Sequence, residues 1–327
     1  MNRLIQTVTG PITAAQMGRT FCHEHLIIGY AGWEGDLTRS GPFDPDAAVR
    51  EIAAQLRPQA EAGLGTVVDA TPNDCGRDAA VLRRVSEETG VNVICSTGYY
   101  YELAGGSMYF KLRAIFHDPV QELYELMTTE ITEGIADTGI RAGVIKAASG
   151  KDVISDYERN VLTAAAKAGR DTDTVIITHT EEGTCAVEQA KLLIAEGARP
   201  EKIQIGHVGT QTDLDYYKRI LDTGVFIAFD RLGIEGMMGM LTDAERAKVV
   251  ARLIREGYGG RILLSQDAIG YKKGSPTVRS GANADLIPNH HWGNTFNVFT
   301  PLLLEEGVSM AEIDRMLIDN PARLYGA

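Results

Sequence analysis

Cysteine is scarce and scattered: the 327-residue chain has Cys22, Cys75, Cys95 and Cys185, with no CxxC pair among them. That spacing excludes a zinc ribbon and a dithiol redox motif. Cys22 and Cys95 sit inside apolar, strand-like runs, where a free thiol serves as a small buried hydrophobe, and the set suits a reducing cytoplasm. No run of about 18 apolar residues occurs, so no transmembrane helix is expected. Met1–Gly10 has no basic segment followed by an apolar one, so it does not read as a signal peptide. Positive charge is in deficit, with 32 Lys and Arg against 44 Asp and Glu for a net charge of -12. That balance favours solubility and argues against nucleic acid or an anionic membrane as the main partner. There is also no Gly/Ser linker or low-complexity tract to mark a domain boundary. A prior of about 150 residues per domain would give two domains, but α/β barrels run to about 250 residues or more as one unit. One domain over residues 1–327 is therefore expected.

Eight short apolar or β-branched runs, bounded by glycine, charge or turn residues, predict buried strands. They are Arg19–His25, Thr66–Thr71, Val91–Gly98, Ala142–Ala147, Thr174–His179, Ile203–Val208, Val225–Asp230 and Arg261–Asp267. Nearly continuous stretches such as Val175-Ile176-Ile177 suit parallel strands covered on both sides. Helix-period segments alternate with them: Asp46–Ala62, Arg77–Thr89, Pro119–Ala136, Asp156–Ala168, Cys185–Glu196, Asp213–Thr223 and Thr242–Glu256. Pro58 is expected to kink or end the first of these in its middle. Trp292–Leu304 and Ser309–Ile318 read as two closing helices. Strand and helix alternating eight times predict an α/β fold, a (β/α)8 TIM barrel or a large doubly wound sheet. Long irregular stretches follow the third strand (Tyr99–Asp118) and the eighth (Ala268–His291). In a barrel both lie over the catalytic mouth.

What ends the strands carries the chemistry. The first run ends in His23-Glu24-His25, the fourth carries Lys146, the fifth ends in His179, the sixth carries His207 and the eighth ends in Asp267. Side chains alternate along a strand, so His23 and His25 share a side, here the barrel axis. Each element alone has an ordinary reading. An HxH pair is more often a satisfied or surface pair, a lone strand-end His is usually structural, and a carboxylate after a strand is usually a helix cap. Their coincidence at the catalytic end of one barrel outweighs those readings and points to imidazole and carboxylate ligands suited to zinc, manganese, cobalt or iron rather than calcium. Lys146 cannot ligate as an ammonium, which has no lone pair. CO2 would convert it to an anionic carbamate able to bridge two metals; the competing reading is a Schiff-base lysine, which needs no histidine cluster.

Several segments together resemble the phosphotriesterase-like branch of the amidohydrolase superfamily, which includes phosphotriesterases and phosphotriesterase-like lactonases. They are Gly-Arg-Thr-Phe-Cys-His-Glu-His-Leu (18–26), Gly-Ile-Ala-Asp-Thr-Gly-Ile-Arg-Ala-Gly-Val-Ile-Lys (134–146), Ile-Thr-His-Thr (177–180), Ile-Gly-His-Val-Gly (205–209), Phe-Asp-Arg-Leu-Gly (229–233), Ser-Gln-Asp (265–267) and Asp-Asn-Pro-Ala-Arg (319–323). The resemblance implies that His23, His25 and Asp267 hold one divalent metal, and that His179 and His207 hold another. Carboxylated Lys146 and a hydroxide would join the two ions, zinc being the first expectation.

By the same resemblance Asp267 and Lys146 are the catalytic residues, and Tyr100 and Arg231 face a small-molecule substrate; Asp230 reads as a structural partner beneath the site. The implied activity is hydrolysis of a lactone or other carboxylic ester, with phosphotriesters as a side activity. The implied assembly is a homodimer. Two departures bear on specificity. Glu102–Phe110 replaces the apolar stretch that lactonases carry after the tyrosine, and Gln266 stands where the family commonly has histidine. An amide or carbamate hydrolase, a dedicated organophosphate hydrolase and a non-catalytic metal-binding barrel are the competing readings. His290-His291-Trp292 reads as a loop tip or helix start.

Overall fold

The computed structural model of the chain describes residues 4–236, 240–274 and 287–326. Two three-residue strands, β1 (Ile5–Thr7) and β2 (Gly10–Ile12), make an antiparallel hairpin too short for the sequence pattern to announce. The parallel strands that follow are β3 (Arg19–Ile28), β4 (Leu64–Asp69), β5 (Asn92–Gly98), β6 (Val144–Ser149), β7 (Val175–Thr180), β8 (Ile203–Ile205), β9 (Phe226–Phe229), β10 (Ile262–Leu264) and β11 (Ile269–Lys272). Their neighbour order is β10-β9-β8-β7-β6-β5-β4-β3-β11. β10 and β11 are two pieces of one eighth strand. Between them Asp267 N donates to His23 O at 3.2 Å and His25 N donates to Ala268 O at 2.9 Å. The interrupted strand thereby joins β3 and closes a (β/α)8 barrel.

Alternation along the strands sorts the core into two parts. Val68, Ile94, Val144, Val175, Ile177, Phe226, Ala228 and Leu263 face inward, where Ile5, Met17, Leu324 and Tyr325 pack beneath them. Val67, Val93, Ile145, Ile176 and Ile227 face outward against the helices. Lys146 continues the inward side of Val144, and His179 that of Val175 and Ile177, so both reach the axis above a packed floor. β3 breaks the rule. Its register against β4 slips between Phe21 and Glu24, as in a β-bulge. Cys22 packs in the interior, and His23 directly after it faces the interior too.

The helices begin where the sequence places caps. Asp44 accepts from Asp46 N and Ala47 N ahead of Pro45–Glu61, and Ser155 caps Asp156–Thr172 in a capping box with Glu158. Three expectations are corrected. The helix holding Pro58 neither breaks nor ends in its middle but runs on to Glu61. The proline falls in its last turn. The stretch after the third barrel strand is not wholly irregular, since Ser107–Arg113 is helical. The stretch after the eighth contains β11, while residues 275–286 lie outside the described residues. Among the described residues no helix is long and apolar enough to cross a membrane.

Gly98 ends β5 with φ +119°, and a Cβ built there would meet the Lys146 carbonyl oxygen. Gly98→Ala therefore imposes backbone strain of about 1–3 kcal/mol before any clash is counted. The expected outcome is a lower midpoint in thermal denaturation and a lower metal content. A variant that melts with the wild type would show that β5 and β6 separate without cost.

Candidate metal centre

The strand ends bring the six expected residues to one mouth. Lys146 Nζ lies 2.7 Å from His23 Nε2. His25 Nε2 is 3.3 Å and His207 Nε2 is 3.8 Å from the Asp267 carboxylate. The His207 ring centroid is 4.6 Å from those of both His23 and His179. His23, His25 and Asp267 each offer a ligand atom within 4.8 Å of the others, as do His23, His207 and Asp230.

These two groups play different parts. Asp230 sits on the Nδ1 side of both rings, 2.8 Å from His23 Nδ1 and 2.9 Å from His207 Nδ1. The Nε2 atoms are left facing Lys146 and Asp267. A carboxylate behind a ring nitrogen fixes the tautomer and the aim of the other nitrogen, so Asp230 is placed to orient two of the expected ligand rings from beneath. His25 is aimed likewise by Thr71 Oγ1, 2.7 Å from its Nδ1. His179 meets Glu181 Oε2 at 2.8 Å through Nε2, leaving Nδ1 3.3 Å from the Tyr100 hydroxyl. Sequence reading missed Thr71 and Glu181; a polar residue just past a strand was the only trace either left.

The residues fit a divalent metal pair. Asp267 Oδ1 is buried with no hydrogen-bond donor among the described residues. Burial lowers the His23 imidazole to about 4 and His207 to about 3, and holds His179 well below its usual value. All three therefore keep a free lone pair at neutral pH. Burial also brings Lys146 down to about 8, against the pull of Asp267 and Asp230. Burial works to raise Asp267, but His207, His25 and Arg231 hold it well below the usual carboxylate range. Glu24 is different: burial works to raise it, while hydrogen bonds from Ser265, Gln266 and Ala268 favour its carboxylate form. Two of the expected ligands, His207 and Asp267, both adopt φ +59°, an uncommon left-handed backbone for side chains of this size.

At the rim, Arg231 Nε donates to Asp267 Oδ2 at 3.2 Å, and Tyr101 stacks on His179 with ring centroids 5.2 Å apart. Two carboxylates, Asp74 half-buried and Glu158 buried, grip the loop carrying Tyr100 and Tyr101. Asp74 accepts from Tyr100 N at 3.1 Å and Gly106 N at 2.8 Å, and Glu158 Oε1 accepts from Glu102 N and Gly150 N at 3.0 Å. Gln266 does not line the pocket: it is fully buried, its amide reaching Trp292 O and Thr295. His290 is no free loop tip either, since its Nε2 lies 2.9 Å from Gln266 O.

The buried imidazoles predict how the metal-free protein responds to acid. Unfolded, each takes a proton near 6.5; folded, His23 does so only near 4 and His207 near 3. Their contribution to stability is complete above pH 6.5 and is lost as pH falls from there through the folded values. The thermal midpoint of chelator-treated protein should drop steadily between pH 6.5 and 4. A flat profile across that window would show that the histidines are not held neutral.

Comparison with known proteins agrees with this geometry. The model of the phosphotriesterase family matches residues 3–325. The organophosphorus hydrolase of Deinococcus radiodurans is 48% identical, with a TM-score of 0.95 over 99% of this chain and 97% of that one. A mutant of a PTE-like lactonase from the same organism is 47% identical, with a TM-score of 0.95 over 98% of this chain and 100% of that one. The aryldialkylphosphatase of Saccharolobus solfataricus is 30% identical over 320 residues, 96% of each chain. With its whole barrel inside the matched span of residues 3–325, the chain belongs to the phosphotriesterase family.

Proposed function

We propose that the protein is a binuclear-metal-dependent hydrolase of a lactone or other carboxylic ester, with phosphotriesters as a side activity. The observation that carries this reading is the convergence of His23, His25 and Asp267 within 4.8 Å, beside the paired rings of His179 and His207. His23, His25 and Asp267 would hold one divalent ion, His179 and His207 the other, with Lys146 between them as its N6-carboxylate. Zinc suits this donor set, as do manganese, cobalt and iron. The chemistry such a pair supplies when bound is polarisation of the ester carbonyl and acidification of water.

The chain's own groups supply the rest. A buried Lys146 that titrates near 8 carries more neutral amine at physiological pH than an exposed lysine. Neutral amine is the form that adds to CO2, giving a carbamate and releasing a proton. Asp267 accepts the proton of the attacking water and returns it to the leaving alkoxide. The 3.2 Å bond from Arg231 fixes which way its carboxylate turns. The Tyr100 hydroxyl, beside His179, is placed to contact the ester, and Tyr101 forms the adjoining wall. The names of the similar proteins, an organophosphorus hydrolase and a PTE-like lactonase, support both substrate classes.

The reading extends to a cytoplasmic homodimer acting on a small molecule. The four thiols are free, and Leu103, Met108, Tyr109, Leu112, Ile115 and Phe116 leave an apolar face exposed that a second copy would cover.

Asp267→Asn should lower kcat on a γ- or δ-lactone by about 10²-fold or more while most of the metal stays bound; retained turnover would remove the proton-transfer role. Chelated protein should lose lactone, aryl ester and phosphotriester hydrolysis together. Zinc or cobalt should restore them, faster when bicarbonate is added. Reactivation indifferent to bicarbonate would argue against the carbamate, and dominant turnover of an N-acyl amide in the same panel would displace the ester reading.

A further inference from the structure

Glu24 stands between two ligand histidines, yet it faces away from them. It is fully buried, and alternation along β3 turns it outward while His23 and His25 face the axis. Its carboxylate accepts four hydrogen bonds, all from the residues on either side of Asp267. Oε1 takes Ser265 Oγ at 2.6 Å, Gln266 N at 2.9 Å and Gln266 Nε2 at 3.0 Å, while Oε2 takes Ala268 N at 2.6 Å.

These bonds fall where the sheet itself gives little support. β10 stops at Leu264 and β11 starts at Ile269, and within the gap Asp267 holds its left-handed backbone at φ +59°. A non-glycine residue stays in that conformation only when its surroundings over-determine it. The amides before and after Asp267 point at one carboxylate, and that turn delivers the Asp267 side chain to His25 and His207. Both Glu24 oxygens are committed, so Glu24 has none to offer a metal.

We propose that Glu24 is a positioning residue: acting from outside the ring of strands, it and the Gln266 amide lock the left-handed turn at Asp267 and thereby set the affinity of the His23–His25–Asp267 metal site. Gln266 suits this role because it donates to Glu24 and accepts from Thr295 Oγ1 at once. A histidine there could do both only as one neutral tautomer. The inference rests on the two-metal reading above and is independent of which ester is the substrate.

The test uses cobalt(II) as the probe. Glu24→Gln keeps the size but sets an amide N–H against one or more of the four donors. In apo protein titrated with Co²⁺, followed by calorimetry and by visible absorption, one of two ions should weaken by about 10–100-fold while the other is unchanged. Gln266→Met, which leaves the backbone donors in place, should weaken the same ion by a smaller factor. It carries the test alone should Glu24→Gln fail to fold. Wild-type affinity for both ions in Gln266→Met, or in a folded Glu24→Gln, overturns the proposal. So does equal weakening of both ions, which marks a general loosening of the barrel. A wild-type chain that binds two cobalt ions yet opens no lactone or ester removes the proposed activity and leaves this inference standing.

Discussion

The centre depends on Asp230, one buried carboxylate that stands behind His23 and His207 at 2.8 and 2.9 Å. A charge this deep is tolerable only when it is paired and hydrogen-bonded. The His207 amide and imidazole, 2.8 and 2.9 Å from Oδ1, supply the hydrogen bonds, and the His23 ring lies 2.8 Å from Oδ2. In return the carboxylate assigns each ring its proton and turns the other nitrogen toward the axis. Without it two neutral rings would sit 4.6 Å apart with nothing to decide which atom faces the metal. The chemistry at the mouth is thus prepared one layer below it.

Much of this was legible in the sequence, for a specific reason. Ligands at strand ends obey the strand's two-residue period, so His23-Glu24-His25 and the spacing from Val144 to Lys146 declare their direction. The eight barrel strands are legible on the same ground, because parallel strands read as dense apolar runs. What escaped is conformational. His207 and Asp267 lie past the ends of β8 and β10 in left-handed backbone, which no propensity assigns to His or Asp. The bulge in β3 was invisible because a register slip depends on the neighbouring strand. Gln266 was read from resemblance as a change in the pocket or just behind it; it lies behind, fully buried, with its amide on Glu24, Trp292 and Thr295.

The loop over the mouth shows a related economy. Its run Glu-Leu-Ala-Gly-Gly-Ser (102–107) has few apolar side chains to anchor it, and its backbone is held instead by Asp74, in the turn that follows β4, and by Glu158, in the first turn of the helix Asp156–Thr172. Burial pushes the Asp74 carboxyl up to about 6 in spite of those amides. Tyr100 and Tyr101 are thus set by main-chain bonds to two acids. Their side chains lie over His179, the Tyr100 hydroxyl against its Nδ1 and the Tyr101 ring stacked on its face.

The interrupted eighth strand has one more consequence. Closure of the cylinder passes through Asp267 itself, whose amide bonds the His23 carbonyl. The joint that completes the tertiary structure and the group that would move the proton are one residue. Assembly of the wall and readiness for chemistry therefore arrive together during folding. A partly folded chain with the first seven staves in place would have its imidazoles gathered and still lack the Asp267 carboxylate beside them.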